Sequence, residues 1–94
     1  MKVLISDKMD PRCAEIIETR TGFSVDVKTD YSPDELVAAV GDYEALIVRS
    51  STQVTDQVIQ AGKKLRVIGR AGVGVDNIDV DAARRSGIIV MNTP

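Results

Sequence analysis

Short runs of apolar residues recur at regular intervals along the chain, and amphipathic segments separate them. The runs predict five strands at residues 2–5, 23–27, 45–48, 65–68 and 88–91. The second run alternates apolar and polar residues, which is typical of a strand at the edge of a sheet. The third run has no polar break and is typical of a central strand that is covered on both faces.

Helix-capping residues open the segments between these strands. Pro11 after Asp10 predicts a proline in the first helical position, where its missing N–H costs nothing. Ser32 and Glu35 predict a capping box, with Pro33 in the first helical position. The four expected N-caps are Asp10, Ser32, Thr55 and Asp79.

The regular alternation of strand and helix predicts the α/β class. Connections of this length favour a parallel sheet, wound right-handed, with helices on both faces. Five strands predict a three-layer, flavodoxin-like arrangement with the order 2-1-3-4-5 and the second strand at the edge. Because the chain ends three residues after the last predicted strand, we expect the helix that closes such a fold to be missing.

Composition narrows the chemistry of this single domain. The 94 residues include no His and one Cys. The lack of His excludes a His-based proton shuttle or metal site. A single Cys excludes internal disulfides and Cys-clustered zinc or iron–sulfur sites. We therefore expect no metal site, and chemistry that rests on Arg, Asp, Glu, Ser, Thr or backbone groups.

Charge is unevenly distributed along the chain. Residues 1–47 carry five Lys or Arg against ten Asp or Glu, whereas residues 48–94 carry seven against four. The acidic first half and the scarcity of aromatic residues argue against nucleic-acid binding. No apolar run approaches the roughly 18 residues of a membrane span, and the first residues lack a signal-peptide pattern. We expect a cytoplasmic protein without nucleic-acid or membrane partners.

The candidate site lies where strands end, because open parallel sheets bind ligands beyond the carboxyl ends of their strands. Arg49 follows the third predicted strand and Arg70 follows the fourth. Two guanidinium groups beside the N–H groups of a glycine-rich turn predict a pocket for a carboxylate or phosphate. Alternatively, both arginines are solvated or pair with Asp7 or Asp76. The candidate residues are Arg49, Ser50, Arg70, Gly72, Val73 and Gly74.

The glycine-rich turn only partly matches the dinucleotide-binding fingerprint G-x-G-x-x-G. Asn77 stands where the third glycine belongs, and the acidic residue expected about 20 residues later is absent. We therefore expect no pyrophosphate cradle here. Asp76 and Asn77 are interpreted as turn residues.

Three segments at strand ends carry a resemblance to a known family. They read VRSST at 48–52, GRAGVGVDNI at 69–78 and VMNTP at 90–94. In these segments the chain closely resembles the D-isomer-specific 2-hydroxyacid dehydrogenase family, and Arg49 together with Arg70 points to its phosphoglycerate branch. The resemblance covers essentially all 94 residues.

This resemblance implies a domain organisation and an activity. Family members have a discontinuous flavodoxin-like substrate domain, with a Rossmann coenzyme domain inserted in it. Residues 1–94 would be the N-terminal segment of the substrate domain, without the NAD-binding domain. The parent protein would oxidise 3-phospho-D-glycerate to 3-phosphohydroxypyruvate with NAD, a step of L-serine biosynthesis.

The same resemblance implies roles for the candidate residues. Arg49, Ser50 and Arg70 would bind the small anionic substrate, and backbone N–H groups at 72–74 would meet its carboxylate. Val73 would also approach the cofactor from the substrate-domain side. The family's catalytic Arg, Glu and His lie beyond residue 94. We therefore expect the chain alone to be inactive, and its partner to be the rest of the parent enzyme.

Two alternatives belong to other classes of protein. A signalling receiver domain shares the strand order, but here Asp7 stands alone after the first strand and Arg49 occupies the phospho-acceptor position. The fifth strand is also followed by no Lys. The other alternative is a stand-alone flavodoxin-like folding module without enzymatic activity, which dimerises to cover an exposed face.

Overall fold

A single parallel sheet organises the computed structural model, which describes residues 1–72 and 74–93. The strands are β1 (Lys2–Ile5), β2 (Ser24–Val27), β3 (Ala45–Val48), β4 (Val67–Ala71) and β5 (Ile89–Thr93). They follow the order β2-β1-β3-β4-β5 in the sheet, with all neighbouring pairs parallel. This order confirms the predicted flavodoxin-like topology.

The second, third and fourth helices begin at the capping residues that the sequence indicates. The Ser32 hydroxyl accepts the Glu35 N–H at 3.2 Å, and the Glu35 carboxylate accepts the Ser32 N–H at 2.9 Å, so the capping box is confirmed. No helix in the described ranges is long and apolar enough to cross a membrane. The helices are α1 (Arg12–Thr21), α2 (Pro33–Ala39), α3 (Asp56–Ala61) and α4 (Val80–Arg85), and a 3-10 turn (Val40–Asp42) follows α2.

The first helix begins one residue later than predicted. Pro11 is the N-cap rather than the first helical residue. The carbonyl of Asp10 accepts the Cys13 N–H at 2.9 Å, which forms a turn ahead of the helix. The Asp10 carboxylate still accepts the Arg12 N–H at 2.9 Å, so it stabilises the first turn as a capping side chain does.

The main core lies between the sheet and the layer formed by α2, α3 and α4. Leu4, Leu46, Val48 and Ile68 are fully buried on this face of the sheet. Because side chains alternate along a strand, Ala45 and Ile47 point to the opposite face. The core on the α2–α4 side therefore holds the central strands in place.

The opposite face of the sheet is only partly covered, by α1. Ala45 and Ile47 line an apolar cavity of about 520 Å³ between α1 and the strands. In β5, Ile89 is 60% exposed and Met91 is 54% exposed. The prediction that β3 is covered on both faces is therefore wrong for this side, since α1 contacts β2 and leaves the cavity open over the later strands.

The last two strands extend further than predicted. The ladder between β4 and β5 continues through the pairs Arg70↔Asn92 and Ala71↔Thr93. Arg70 therefore lies inside β4 rather than in the loop after it. Since both neighbouring strands pair with β4, the backbone of Arg70 is fixed by the sheet itself.

Tyr43 packs against the start of the sheet and is 8% exposed. Its hydroxyl donates a hydrogen bond of 2.6 Å to Asp26 of β2, and the Lys2 ammonium lies 5.1 Å from the ring centroid. Burial, followed by the hydrogen bond to Asp26, raises the pKa of Tyr43 above its ordinary value of 10.0. The phenol therefore links the edge strand to the core in its neutral form.

Candidate functional site

A buried carboxylate at the end of β1 organises the loop that follows β3. Asp7 is 4% exposed. Its Oδ2 accepts the N–H groups of Arg49 at 2.7 Å and Thr52 at 3.0 Å. Its Oδ1 accepts the Thr52 hydroxyl at 2.6 Å. Hydrogen bonds to an ionised acceptor are roughly twice as strong as neutral ones, so Asp7 fixes the backbone of residues 49–52 to the central strand.

Ser6 extends this network. The hydroxyl oxygens of Ser6 and Thr52 are 2.9 Å apart. Thr52 has one hydroxyl proton and donates it to Asp7, so Ser6 is the donor to Thr52. The Ser6 N–H also donates to the carbonyl of Ile47 at 3.1 Å. The ends of β1 and β3 are therefore joined through side chains as well as through the sheet.

Asn77, which was interpreted as a turn residue, is a buried member of the site. Its Nδ2 donates to the carbonyls of Arg49 at 2.6 Å and Thr52 at 2.7 Å. Its Oδ1 accepts from Arg70 Nε at 2.8 Å. The backbone carbonyl of Asn77 accepts the Val54 N–H at 2.8 Å, which also holds the two connections together.

Both arginines lie at the carboxyl end of the sheet, Arg49 directly after β3 and Arg70 within the neighbouring strand β4. Arg70 pairs with Val48, the residue before Arg49. Arg49 is exposed, and its Nη1 donates to the carbonyl of Lys8 at 3.3 Å. Asp7 binds the Arg49 backbone and not its guanidinium, and in the described ranges no carboxylate forms an ion pair with Arg49. The predicted alternative of an Arg49–Asp7 pair is therefore wrong.

The glycine-rich turn passes close to the Arg70 side chain. A Cβ added at Gly72 would lie 2.7 Å from Arg70 Nη1, and Gly72 has φ +153°. The positive φ favours glycine at this position, and a side chain there would displace the Arg70 guanidinium. The carbonyl of Gly72 accepts from Asn92 Nδ2 at 3.4 Å. Val73, predicted to meet substrate and cofactor, lies outside the described residues.

Most of the predicted site residues therefore meet at one edge of the sheet. Ser50 is exposed in the same loop as Arg49, and Gly74 follows in the turn after β4. Asp7 and Thr52 lie at strand ends, where candidates are expected from the sequence, but their role in fixing the loop after β3, like that of Asn77, is visible only in the folded chain. A polar residue directly after a buried strand was a signal for Asp7, whereas Asn77 gave none, because its partners lie 7, 25 and 28 residues away.

The turn after β4 does not fit a dinucleotide. A pyrophosphate in such folds uses the free N–H groups at the start of the following helix. Here the Asp79 carboxylate accepts the Ala82 N–H at 3.0 Å and places its own negative charge at the start of α4. Asn77 stands where the dinucleotide-binding fingerprint has its third glycine, and its side chain donates to the carbonyls of Arg49 and Thr52. Asp79 therefore already engages an N–H group at the start of α4 and disfavours a pyrophosphate there.

Nearly the whole chain matches a family of known proteins. The family model described as "D-isomer specific 2-hydroxyacid dehydrogenase, catalytic domain" matches residues 3–94. The chain belongs to this family. The match includes the segments around Arg49 and Arg70, so the candidate site residues lie within the matched part of the chain.

The chain is also similar in sequence to relatives of known name and in structure to solved dehydrogenases. It is 58% identical over 93 residues to D-3-phosphoglycerate dehydrogenase of Sus scrofa, which covers 99% of this chain and 17% of that protein. It is 49% identical over 94 residues to D-3-phosphoglycerate dehydrogenase of Archaeoglobus fulgidus, which covers 100% of this chain and 18% of that protein. The NAD+-bound 3-phosphoglycerate dehydrogenase of Entamoeba histolytica superimposes with a TM-score of 0.88 at 31% identity, over 100% of this chain and 33% of that one. The chain thus spans less than a fifth of the length of these curated relatives.

Proposed function

We propose that residues 1–94 are the N-terminal segment of the substrate domain of an NAD-dependent 3-phosphoglycerate dehydrogenase. The observation that carries this proposal is the placement of Arg49 and Arg70 at the carboxyl ends of the neighbouring strands β3 and β4, with Asp7 and Asn77 fixing their surroundings. Guanidinium groups donate two parallel hydrogen bonds to a carboxylate or a phosphate. 3-Phosphoglycerate carries one of each.

The relatives support the same substrate. Proteins from animals and archaea that align with nearly the whole chain are named D-3-phosphoglycerate dehydrogenase. The arginines, Ser50 and the turn at Gly72 and Gly74 would bind the substrate, with Val73 as a further contact to substrate and cofactor. L-Serine biosynthesis and a cytoplasmic location belong to the same proposal.

In this proposal the chain binds and orients the substrate. Oxidation at C2 would need NAD+ in the parent protein to accept the hydride and a base to accept the hydroxyl proton, which would leave a C2 carbonyl. Arg49 and Arg70 compensate the negative charge of the substrate and fix its orientation before that step. The chain has no His, and its turn after β4 does not fit a pyrophosphate, so the base and the coenzyme site would lie on other parts of the parent protein.

The open side of the sheet supports a place within a larger protein. The cavity of about 520 Å³ is lined almost entirely by apolar groups, and Ile89 and Met91 of β5 are more than half exposed. Exposed apolar patches of this kind mark sites of association. The remaining part of the substrate domain, joined through the coenzyme domain, is the proposed cover.

The test is the reaction of the full-length protein that contains these residues. We expect reduction of NAD+ with 3-phosphoglycerate and formation of 3-phosphohydroxypyruvate. The 94-residue chain alone is expected to produce no NADH and to give no calorimetric signal with NAD+ at micromolar concentrations. A full-length protein without this oxidation would refute the proposed substrate, and micromolar NAD+ binding by the chain alone would refute the proposed division of roles.

The apolar face also favours a second candidate, a non-enzymatic folding module that dimerises through β5. Sedimentation velocity of the 94-residue chain distinguishes it from the first. A Met91→Ser variant should convert a dimer to a monomer if this face forms the interface, whereas Thr29→Ser, on the connection after β2, is the control. A wild-type chain that sediments as a monomer contradicts this candidate.

A further inference from the structure

One side chain connects both arginines of the proposed anion pocket. The Asn77 amide spans the connection after β4 and the loop after β3. It holds the Arg49 carbonyl at 2.6 Å and accepts from Arg70 Nε at 2.8 Å. It is 9% exposed, so these hydrogen bonds form largely out of water, where they define the geometry closely.

The hydrogen-bonding capacity of this amide is matched to its surroundings. Both N–H groups of Nδ2 have an acceptor, the carbonyls of Arg49 and Thr52, and Oδ1 has a donor. Rotating the amide by half a turn would place Oδ1 against two carbonyls and Nδ2 against Arg70 Nε. The observed orientation is therefore the one that satisfies every group.

The contact with Arg70 uses Nε and not the two terminal nitrogens. An arginine side chain is long and loses several rotamers when a ligand orders it. A bond at Nε fixes the plane of the guanidinium, while Nη1 and Nη2 stay outside the Asn77 contact. Arg70 is thus ordered before an anion arrives, which reduces the entropic cost of binding.

We propose that Asn77 is a positioning residue that sets the Arg70 guanidinium relative to the Arg49 loop, so that both arginines engage one substrate with two anionic groups. This inference rests on the proposed function. Asparagine suits the role because it offers two donors and an acceptor at once. An aspartate would keep the bond to Arg70 but would place a carboxylate oxygen against two carbonyls.

The kinetic test compares Asn77→Ala and Asn77→Asp with the wild type in the full-length enzyme. We expect the KM for 3-phosphoglycerate to rise about tenfold or more in both, because a hydrogen bond to a charged group is lost or its geometry is broken. The kcat should change less than about threefold, since the interaction supports binding of the ground state and the transition state alike.

The matched control is Ser32→Ala, which removes the capping box of α2 and lowers stability without touching the arginines. It should lower the free energy of unfolding by about 1 kcal/mol and leave KM within about twofold of the wild type. If Asn77 had only a structural role, its variants would behave as this control does. A KM within twofold of the wild type in folded Asn77 variants would overturn the proposal.

A double-mutant cycle shows whether Asn77 acts through Arg70. In an Arg70→Ala background, Asn77→Ala should raise KM by less than about threefold, because the group it positions is absent. The same increase with and without Arg70 would contradict the proposed link.

Nuclear magnetic resonance of the wild-type 94-residue chain tests the Asn77–Arg70 hydrogen bond without any variant. The Nε–H proton of Arg70 should exchange at least about tenfold more slowly than that of the exposed Arg84, because it is hydrogen-bonded to a buried acceptor. Equal exchange rates would overturn the inference.

Failure of the proposed function would remain distinguishable. If the full-length protein oxidised another 2-hydroxyacid and not 3-phosphoglycerate, the substrate assignment would fall. The positioning role of Asn77 would then be tested by the KM of its variants for that other acid, with the same tenfold and twofold criteria.

Discussion

Replacing Asp7 by alanine tests whether this buried carboxylate holds the loop that carries Arg49. The change removes the acceptor of the Arg49 N–H, the Thr52 N–H and the Thr52 hydroxyl together. Because Asp7 is 4% exposed, water can replace these hydrogen bonds only in part. The loop should therefore loosen, and the free energy of unfolding should fall.

The size of the effect follows from the three lost bonds. A hydrogen bond to a charged group contributes about 1.5–3 kcal/mol. The three bonds share one carboxylate, and water recovers part of the loss, so Asp7→Ala should cost about 3–5 kcal/mol. Asp7→Asn keeps the shape and one acceptor oxygen, and should cost about 1–2 kcal/mol through the loss of charge.

Urea unfolding of the 94-residue chain, followed by circular dichroism, measures these differences. Asp30→Ala is the matched control, since Asp30 is exposed, and should change the free energy of unfolding by less than about 0.5 kcal/mol. If Asp7→Ala remained within about 1 kcal/mol of the wild type, the argument that Asp7 fixes the loop would be refuted. The Asp7→Asn variant keeps the comparison available if the alanine variant does not fold.

Three further outcomes are expected. Leu46→Ala should lower the free energy of unfolding by about 2–5 kcal/mol in the same urea assay, because Leu46 is fully buried. Ile16→Ala is its control and should cost less than about 1 kcal/mol, because the Ile16 side chain is 53% exposed. Equal losses would contradict the placement of the core. In a Tyr31→Phe background, absorbance should show Tyr43 ionising above pH 10.0 in the folded chain and at about pH 10 in urea. The contribution of the Tyr43 phenol to stability is therefore complete below pH 10 and is lost as pH rises through the pKa of the folded state. Identical titration midpoints in the two states would exclude the buried hydrogen bond. Gly72→Ala should displace the Arg70 guanidinium and raise the KM for 3-phosphoglycerate about fivefold or more in the full-length protein. An unchanged KM would show that the close approach of residue 72 to Arg70 Nη1 has no part in binding.

The parts of the fold that depend on local chemistry could be predicted from the sequence. Ser32, Thr55 and Asp79 each accept an N–H of the helix that they precede, as expected from residue type and spacing. The strand order followed from topology rules that hold for alternating strands and helices. Arg49 and Arg70 were found because such sheets bind ligands at one predictable edge.

The parts that depend on long-range contacts could not be predicted. Asn77 reads as a turn residue because its three side-chain partners are remote in sequence and meet it only in the folded chain. The run Ala45–Val48 carries no sign that α1 leaves one of its faces half open. Arg70 falls inside β4 because pairing with β5 extends both strands, which the apolar pattern alone does not reveal.

The most direct test of the central claim is the KM for 3-phosphoglycerate in the full-length protein after Arg49→Ala and Arg70→Ala, singly and together. Each single change should raise KM about tenfold or more, and the pair should raise it further, because each removes a charge-assisted contact to the substrate. Arg84→Ala, an exposed arginine at the end of α4, is the control and should leave KM unchanged. A double variant whose KM equals that of the wild type would contradict the assignment of this edge of the sheet as the anion pocket.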